Sequence, residues 1–122
     1  MQQQARLLRK ILVGTAAVCA ALALSACATW RDNVQSQLGD AKKVIDTAKS
    51  AGAERYAPET IKSADKYVAQ AQQLITLGKF QDASRSVQQA LADGQLAKVQ
   101  AESGGRNAEI QGLREEIASL MK

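Results

Sequence analysis

The sequence predicts an all-α fold: a small alanine-rich antiparallel helical hairpin or three-helix bundle with a C-terminal coiled-coil-like tail. Three observations carry this. Beyond residue 27, apolar residues recur at steps of 3 and 4 rather than 2, which is the helical period. Proline occurs once in 122 residues. Alanine, the best helix former, numbers 16 among residues 27–122, against 18 for Leu, Ile, Val and Phe together. Small seam residues let helices approach closely but bury little area, so the core is expected to be thin.

Turn signals at Ala57-Pro58, Gly78 and Gly104-Gly105 divide this part of the chain. The first helix is predicted from about Trp30 to Ser50, with Val34, Leu38, Ala41, Ile45 and Ala48 on one face. Thr29 is read as its N-cap, with Asp32 in the first turn. Ala51-Gly52-Ala53 ends it. The second helix starts at Pro58, where the missing N–H costs nothing, and Glu59 suits the positive helix end. Its stripe is Ile61, Ala64, Val68, Ala71, Ile75 and Gly78. The third begins near Phe80 and carries Phe80, Ala83, Val87, Ala90, Gly94, Ala97 and Ala101.

Two adjacent glycines cost about 2 kcal/mol of helix propensity. A bend or a restart is therefore expected at Gly104-Gly105. After it, Ile110, Leu113, Ile117 and Leu120 step by 3, 4 and 3, out of register with Ala101. This tail is read as a stripe for a partner helix, as packing on its own bundle, or as simply frayed helix; two heptads are marginal as an isolated helix. Acid–base pairs at i,i+3 are expected at Asp40–Lys43, Asp46–Lys49, Glu59–Lys62 and Asp82–Arg85, on solvated faces.

The amino-terminal segment is read separately from the fold. Arg6, Arg9 and Lys10 precede an uncharged apolar run from Ile11 to Leu24. That run suits a signal sequence and is short for a membrane span. It ends in Leu24-Ser25-Ala26-Cys27, which resembles the lipobox of bacterial lipoproteins. The resemblance implies cleavage between Ala26 and Cys27, lipidation of Cys27, and membrane attachment through that anchor. Ala28, where an Asp would imply inner-membrane retention, implies the outer membrane. Two or more acyl chains suffice for stable attachment, whereas one gives marginal binding. Residues 1–26 are thus expected to be a signal peptide and 27–122 the mature helical domain. Within it the expected parts are 27–53 (first helix), 54–103 (hairpin core) and 104–122 (helical tail).

The same division changes the charge argument. The net +4 includes three cations of the signal segment, while all 12 acidic residues lie beyond it. The balance over 27–122 is near +1, which gives no case for nucleic acid as a partner. The chain has no His, and both of its Cys fall within the first 27 residues. His-based catalysis, His-ligated metal and a disulfide framework are thereby excluded for these residues. No Gly-rich phosphate loop follows a strand. No catalytic, cofactor-binding or metal site is expected, and the protein is read as a non-enzyme.

Two further resemblances concern the helices. Gly78-Lys79-Phe80-Gln81-Asp82-Ala83, followed by Val87 and Ala90-Leu91, resembles the hairpin of a single tetratricopeptide repeat. No second copy follows at the repeat period, so no array with a concave groove is expected. From Ala53 to Ala101 the chain resembles an alanine-rich envelope domain, the domain-of-unknown-function family 4398. The carrying residues include Ala57-Pro58-Glu59, Ala64, Ala71, Gly78-Lys79-Phe80, Ala83, Ala90-Leu91, Asp93 and Leu96-Ala97. In larger members this domain precedes a peptidoglycan-binding domain, which is not expected before Lys122. The resemblance implies an envelope location and a helical fold, and no chemistry.

Together these readings imply an outer-membrane lipoprotein facing the periplasm. It would serve as a structural or adaptor module, with an envelope protein or a second copy as partner through a helical seam. Two alternatives are a peptidoglycan tether through Lys122, resembling the major murein lipoprotein, and an envelope assembly or ligand-binding factor.

Overall fold

The computed structural model describes residues 29–122. Its contacts divide the chain into two units, Met1–Asn33 and Val34–Lys122. Of the first, only 29–33 are described, and they are helical. Four helices, and no strand, occur among the described residues: α1 over 29–50, α2 Ala53–Tyr56, α3 Pro58–Thr76 and α4 Phe80–Leu120. The three long ones form a bundle, and α2 is a single-turn link. Thr29 is already helical, so it is not the N-cap. Ala26 and Cys27 lie outside the described residues.

In α1 the 3-4 spacing puts five side chains on one face, and all five are buried: Val34, Leu38, Ala41, Ile45 and Ala48. The helix ends at Gly52, whose φ of 93° is left-handed, with its N–H donating to the Lys49 carbonyl. Pro58 opens α3, as its missing N–H predicts. Ile61, Ala64 and Ala71 of its stripe are buried, with Val68 and Ile75 half-buried. Gly78 is not on that stripe. It stands beyond the helix end at φ 71°, where its N–H donates to Ile75 O and that of Lys79 to Leu74 O. These two bonds make a Schellman turn, which satisfies carbonyls of the last turn and sends the chain back along the bundle.

The expected break at Gly104-Gly105 does not occur. Helix α4 runs unbroken for 41 residues, about 60 Å at 1.5 Å per residue. Packing overrides the local propensity at its middle, as Tyr56 shows below. Its seam residues Ala83, Val87, Ala90, Gly94, Ala97 and Ala101 are buried as predicted, and Ser86 joins them.

The core has two layers, and neither closes within 54–103. At one end Val34, Leu38 and Ala41 pack with Ala71, Ala83, Val87 and Ala90. At the other, Ile45 and Ala48 pack with Ala53, Ala57, Ile61, Ala64, Ala97 and Ala101. Helix α1 is thus a full member of the bundle rather than an addition to a hairpin. It lies close to α4: a Cβ on Gly94 would stand 3.1 Å from Ile45 Cγ1 and 3.2 Å from Val44 Cγ1.

Polar contacts fix the register across the layers. Ser63 Oγ on α3 donates to Asp93 Oδ2 on α4 at 2.6 Å, and Gln89 Nε2 donates to the other carboxylate oxygen at 3.2 Å. Thr60 Oγ1 donates to Gln100 Oε1 at 2.8 Å.

Candidate interaction surface

The expected pairs Asp40–Lys43, Glu59–Lys62 and Asp82–Arg85 form, at 3.5, 3.6 and 3.7 Å, on exposed faces. The pair Asp46–Lys49 does not. Lys49 instead reaches across from α1 to Asp65 on α3, at 2.9 Å. The longer reach wins because it also makes a hydrogen bond of 3.1 Å and stands partly sheltered. The Asp65 carboxylate accepting that bond holds the Lys49 ammonium above its ordinary 10.5. Lys98–Glu102, at 3.9 Å, was not anticipated. These are structural ties. Ser63 Oγ and Gln89 Nε2 both donate to the Asp93 carboxylate.

Between α1 and α3 lies an open groove of about 330 Å³, lined by Gln35, Leu38, Gly39, Lys42, Gln72, Ile75 and Thr76. It offers one charged group, Lys42, and no convergent set of donors or acceptors. Among the described residues no group of three or more His, Cys, Asp or Glu could hold a metal ion. Nor is any described helix long and apolar enough to cross a membrane.

The distinctive surface is on α4. Ile110, Leu113, Ile117 and Leu120 are all exposed, Leu120 at 80%. Two more large apolar side chains, Leu96 and Val99, are exposed on the same helix. From Leu96 the steps to Val99, Ser103, Arg106, Ile110, Leu113, Ile117 and Leu120 alternate 3 and 4 without interruption. The tail stripe therefore does not begin after the glycines. It starts inside the bundle, out of phase with the seam of Ala97 and Ala101. At about 100° per residue, Val99 stands about 160° around the helix from Ala97. Helix α4 thus has two apolar faces, one buried against α1 and α3 and the other turned outward.

Tyr56 determines where the bundle stops supporting α4. Its ring lies against Gly104, where a Cβ would come within 2.5 Å of Cδ1 and 2.6 Å of Cγ. Arg55 stacks over the same ring at 5.3 Å. Beyond Gly105 every residue of α4 is exposed. The chain enters the bundle at Val34, in the layer of Ala83 and Val87, so the free end of α4 leaves from the opposite end. Lys122 follows that free end and is exposed.

Residues 36–113 match the Domain of unknown function (DUF4398) family. The chain belongs to that family. The match reaches beyond the stretch Ala53–Ala101 that carried the resemblance, taking in most of α1 and the first tail residues. That extent agrees with α1 being part of the core. No curated protein and no solved structure matches the chain.

Proposed function

We propose that this DUF4398 chain is a lipid-anchored protein of the outer membrane, facing the periplasm and acting as a non-catalytic structural or adaptor module. The geometric observation behind the adaptor role is the outward apolar stripe of α4, which leaves the bundle at the end opposite to Val34. The anchor itself rests on Leu24-Ser25-Ala26-Cys27 after an uncharged apolar run. The non-catalytic reading rests on a chain without His and on the engagement of Asp65 and Asp93 in ties between helices.

Labelled palmitate tests the anchor. The wild-type protein is expected to take up label and fractionate with the outer membrane. Cys27→Ser should lose both the label and cleavage by lipoprotein signal peptidase. A wild-type protein without label sinks the anchor. A sacculus assay tests the tether alternative: if muramidase alone releases the wild type from boiled sacculi, and a Lys122 deletion never appears there, the wall-tether reading replaces the adaptor.

A further inference from the structure

We propose that the outward face of α4 is the seam of a parallel two-stranded coiled coil with a second copy of this chain. The inference goes beyond the anchored adaptor and does not require the anchor. Leu96, Ile110 and Ile117 take the a positions of a heptad repeat, and Val99, Leu113 and Leu120 take the d positions. The seam lies opposite the bundle-facing side, so a second α4 meets neither α1 nor α3 of the first copy.

Charge selects the occupant and its direction. Glu102, Glu109 and Glu116 all fall on g positions, and Arg114 falls on e. In a parallel pair, each g residue faces the e residue five positions on in the other strand. Glu109 then meets Arg114 of the second copy, and two-fold symmetry makes this pair twice. Neither Glu109 nor Arg114 has an ion-pair partner among the described residues. Glu102 likewise faces Asn107. An antiparallel pair would set the g glutamates against one another. Ser103 at an a position and Arg106 at a d position make two adjacent polar layers in the seam, which cost it stability. A lipid surface is the weaker occupant. The cations Arg106, Arg114 and Lys122 are balanced by Glu109, Glu115 and Glu116, which leaves no net attraction to anionic headgroups.

The test uses the full chain in mild detergent with Cys19→Ser and Cys27→Ser, so its outcome is separate from that of the anchor. Single cysteines are placed at Leu113→Cys, in the seam, and at Glu115→Cys, on the opposite face. Under oxidant, Leu113→Cys should yield about tenfold more disulfide dimer than Glu115→Cys. Adding Glu109→Arg to Leu113→Cys should lower the dimer about tenfold, and adding Arg114→Glu as well should restore it. Circular dichroism checks that each variant keeps its helix. Equal crosslinking at both positions, or no rescue by the double charge swap, overturns the parallel pair. So does a monomer whose Leu113→Cys, labelled with an environment-sensitive fluorophore, shifts only on phosphatidylethanolamine–phosphatidylglycerol vesicles. That result would assign the face to lipid.

Discussion

The ring of Tyr56 fills the space that a side chain at Gly104 would occupy, with Cδ1 only 2.5 Å from where the Cβ would stand. Two adjacent glycines in a 41-residue helix thus have different reasons to be there. Gly104 admits the aromatic ring of α2, while a Cβ on Gly105 would meet nothing within 4 Å. The helix propensity lost at Gly104 is offset by packing, and the helix continues where propensity alone would interrupt it.

The first prediction follows from that contrast. Gly105→Ala should stabilise the fold by up to about 1 kcal/mol, since it gains helix propensity and meets open space. Gly104→Ala should destabilise it, because overpacking costs about 1–3 kcal/mol against the same gain. Thermal unfolding reads the two signs. In a Tyr56→Ala background the penalty at Gly104 should vanish, which a double-mutant cycle measures directly. Two shifts of the same sign would show that the ring gives way.

Much of this architecture is legible from periodicity. Val34 to Ala48 and Ala83 to Ala101 are read correctly because a buried helical face needs only the 3-4 rhythm and small residues, and both are local. Gly104 is misread because its reason is non-local: the ring that fills the notch comes from α2, 48 positions earlier in the chain. The tail is read correctly as out of register with Ala101, but the offset is ascribed to a break at the glycines. In the unbroken helix Ile110 follows Leu96 and Val99 on the face opposite the seam. Both faces alternate along one helix, and the spacing rule does not say which is inside. Lys49 illustrates a third limit, since two carboxylates lie within its reach and only the packing of α1 on α3 selects Asp65.

Seam and surface alanines should differ sharply. Ala71 is fully buried between the helices, whereas Ala69 on the same helix is exposed. Ala71→Leu is expected to cost about 1–3 kcal/mol through overpacking. Ala69→Leu should stay within about 0.5 kcal/mol of the wild type. Chemical denaturation of the two variants checks this, and equal midpoints would mean that the helical register is wrong.

The tie between Lys49 and Asp65 predicts a dependence on alkaline pH. The folded Lys49 titrates above its ordinary 10.5, so its contribution is complete below that value and is lost as pH rises through the folded value. The pair is partly exposed, which limits its worth to about 1 kcal/mol or less. Lys49→Met should therefore lower the unfolding midpoint at pH 8. The difference from the wild type should shrink as the pH rises past 10.5 and through the folded value of Lys49. A difference that stays constant across that range would assign the effect to the lysine's aliphatic stem instead of its charge.

Amide exchange along α4 should separate the part the bundle holds from the part it does not. Between Ala83 and Ala101 the helix opens only when the buried seam is broken, so those amides should exchange with the free energy of global unfolding. From Ile110 to Leu120 no other described helix covers the backbone, and a free end of this length is marginal in water. In dilute protein these amides should exchange orders of magnitude faster than those of the seam. Pairing with a second copy would bury the same backbone, so their protection should then rise with protein concentration while that of Ala83–Ala101 stays constant. Leu113→Ser with Ile117→Ser removes two of the outward side chains without touching the core. That double variant should abolish the concentration dependence yet leave the thermal midpoint of the bundle in dilute solution within the range of a surface substitution, about 0.5 kcal/mol. Tail protection independent of concentration in both proteins would mean that the stripe stays uncovered, and that the end of α4 stands as a single helix.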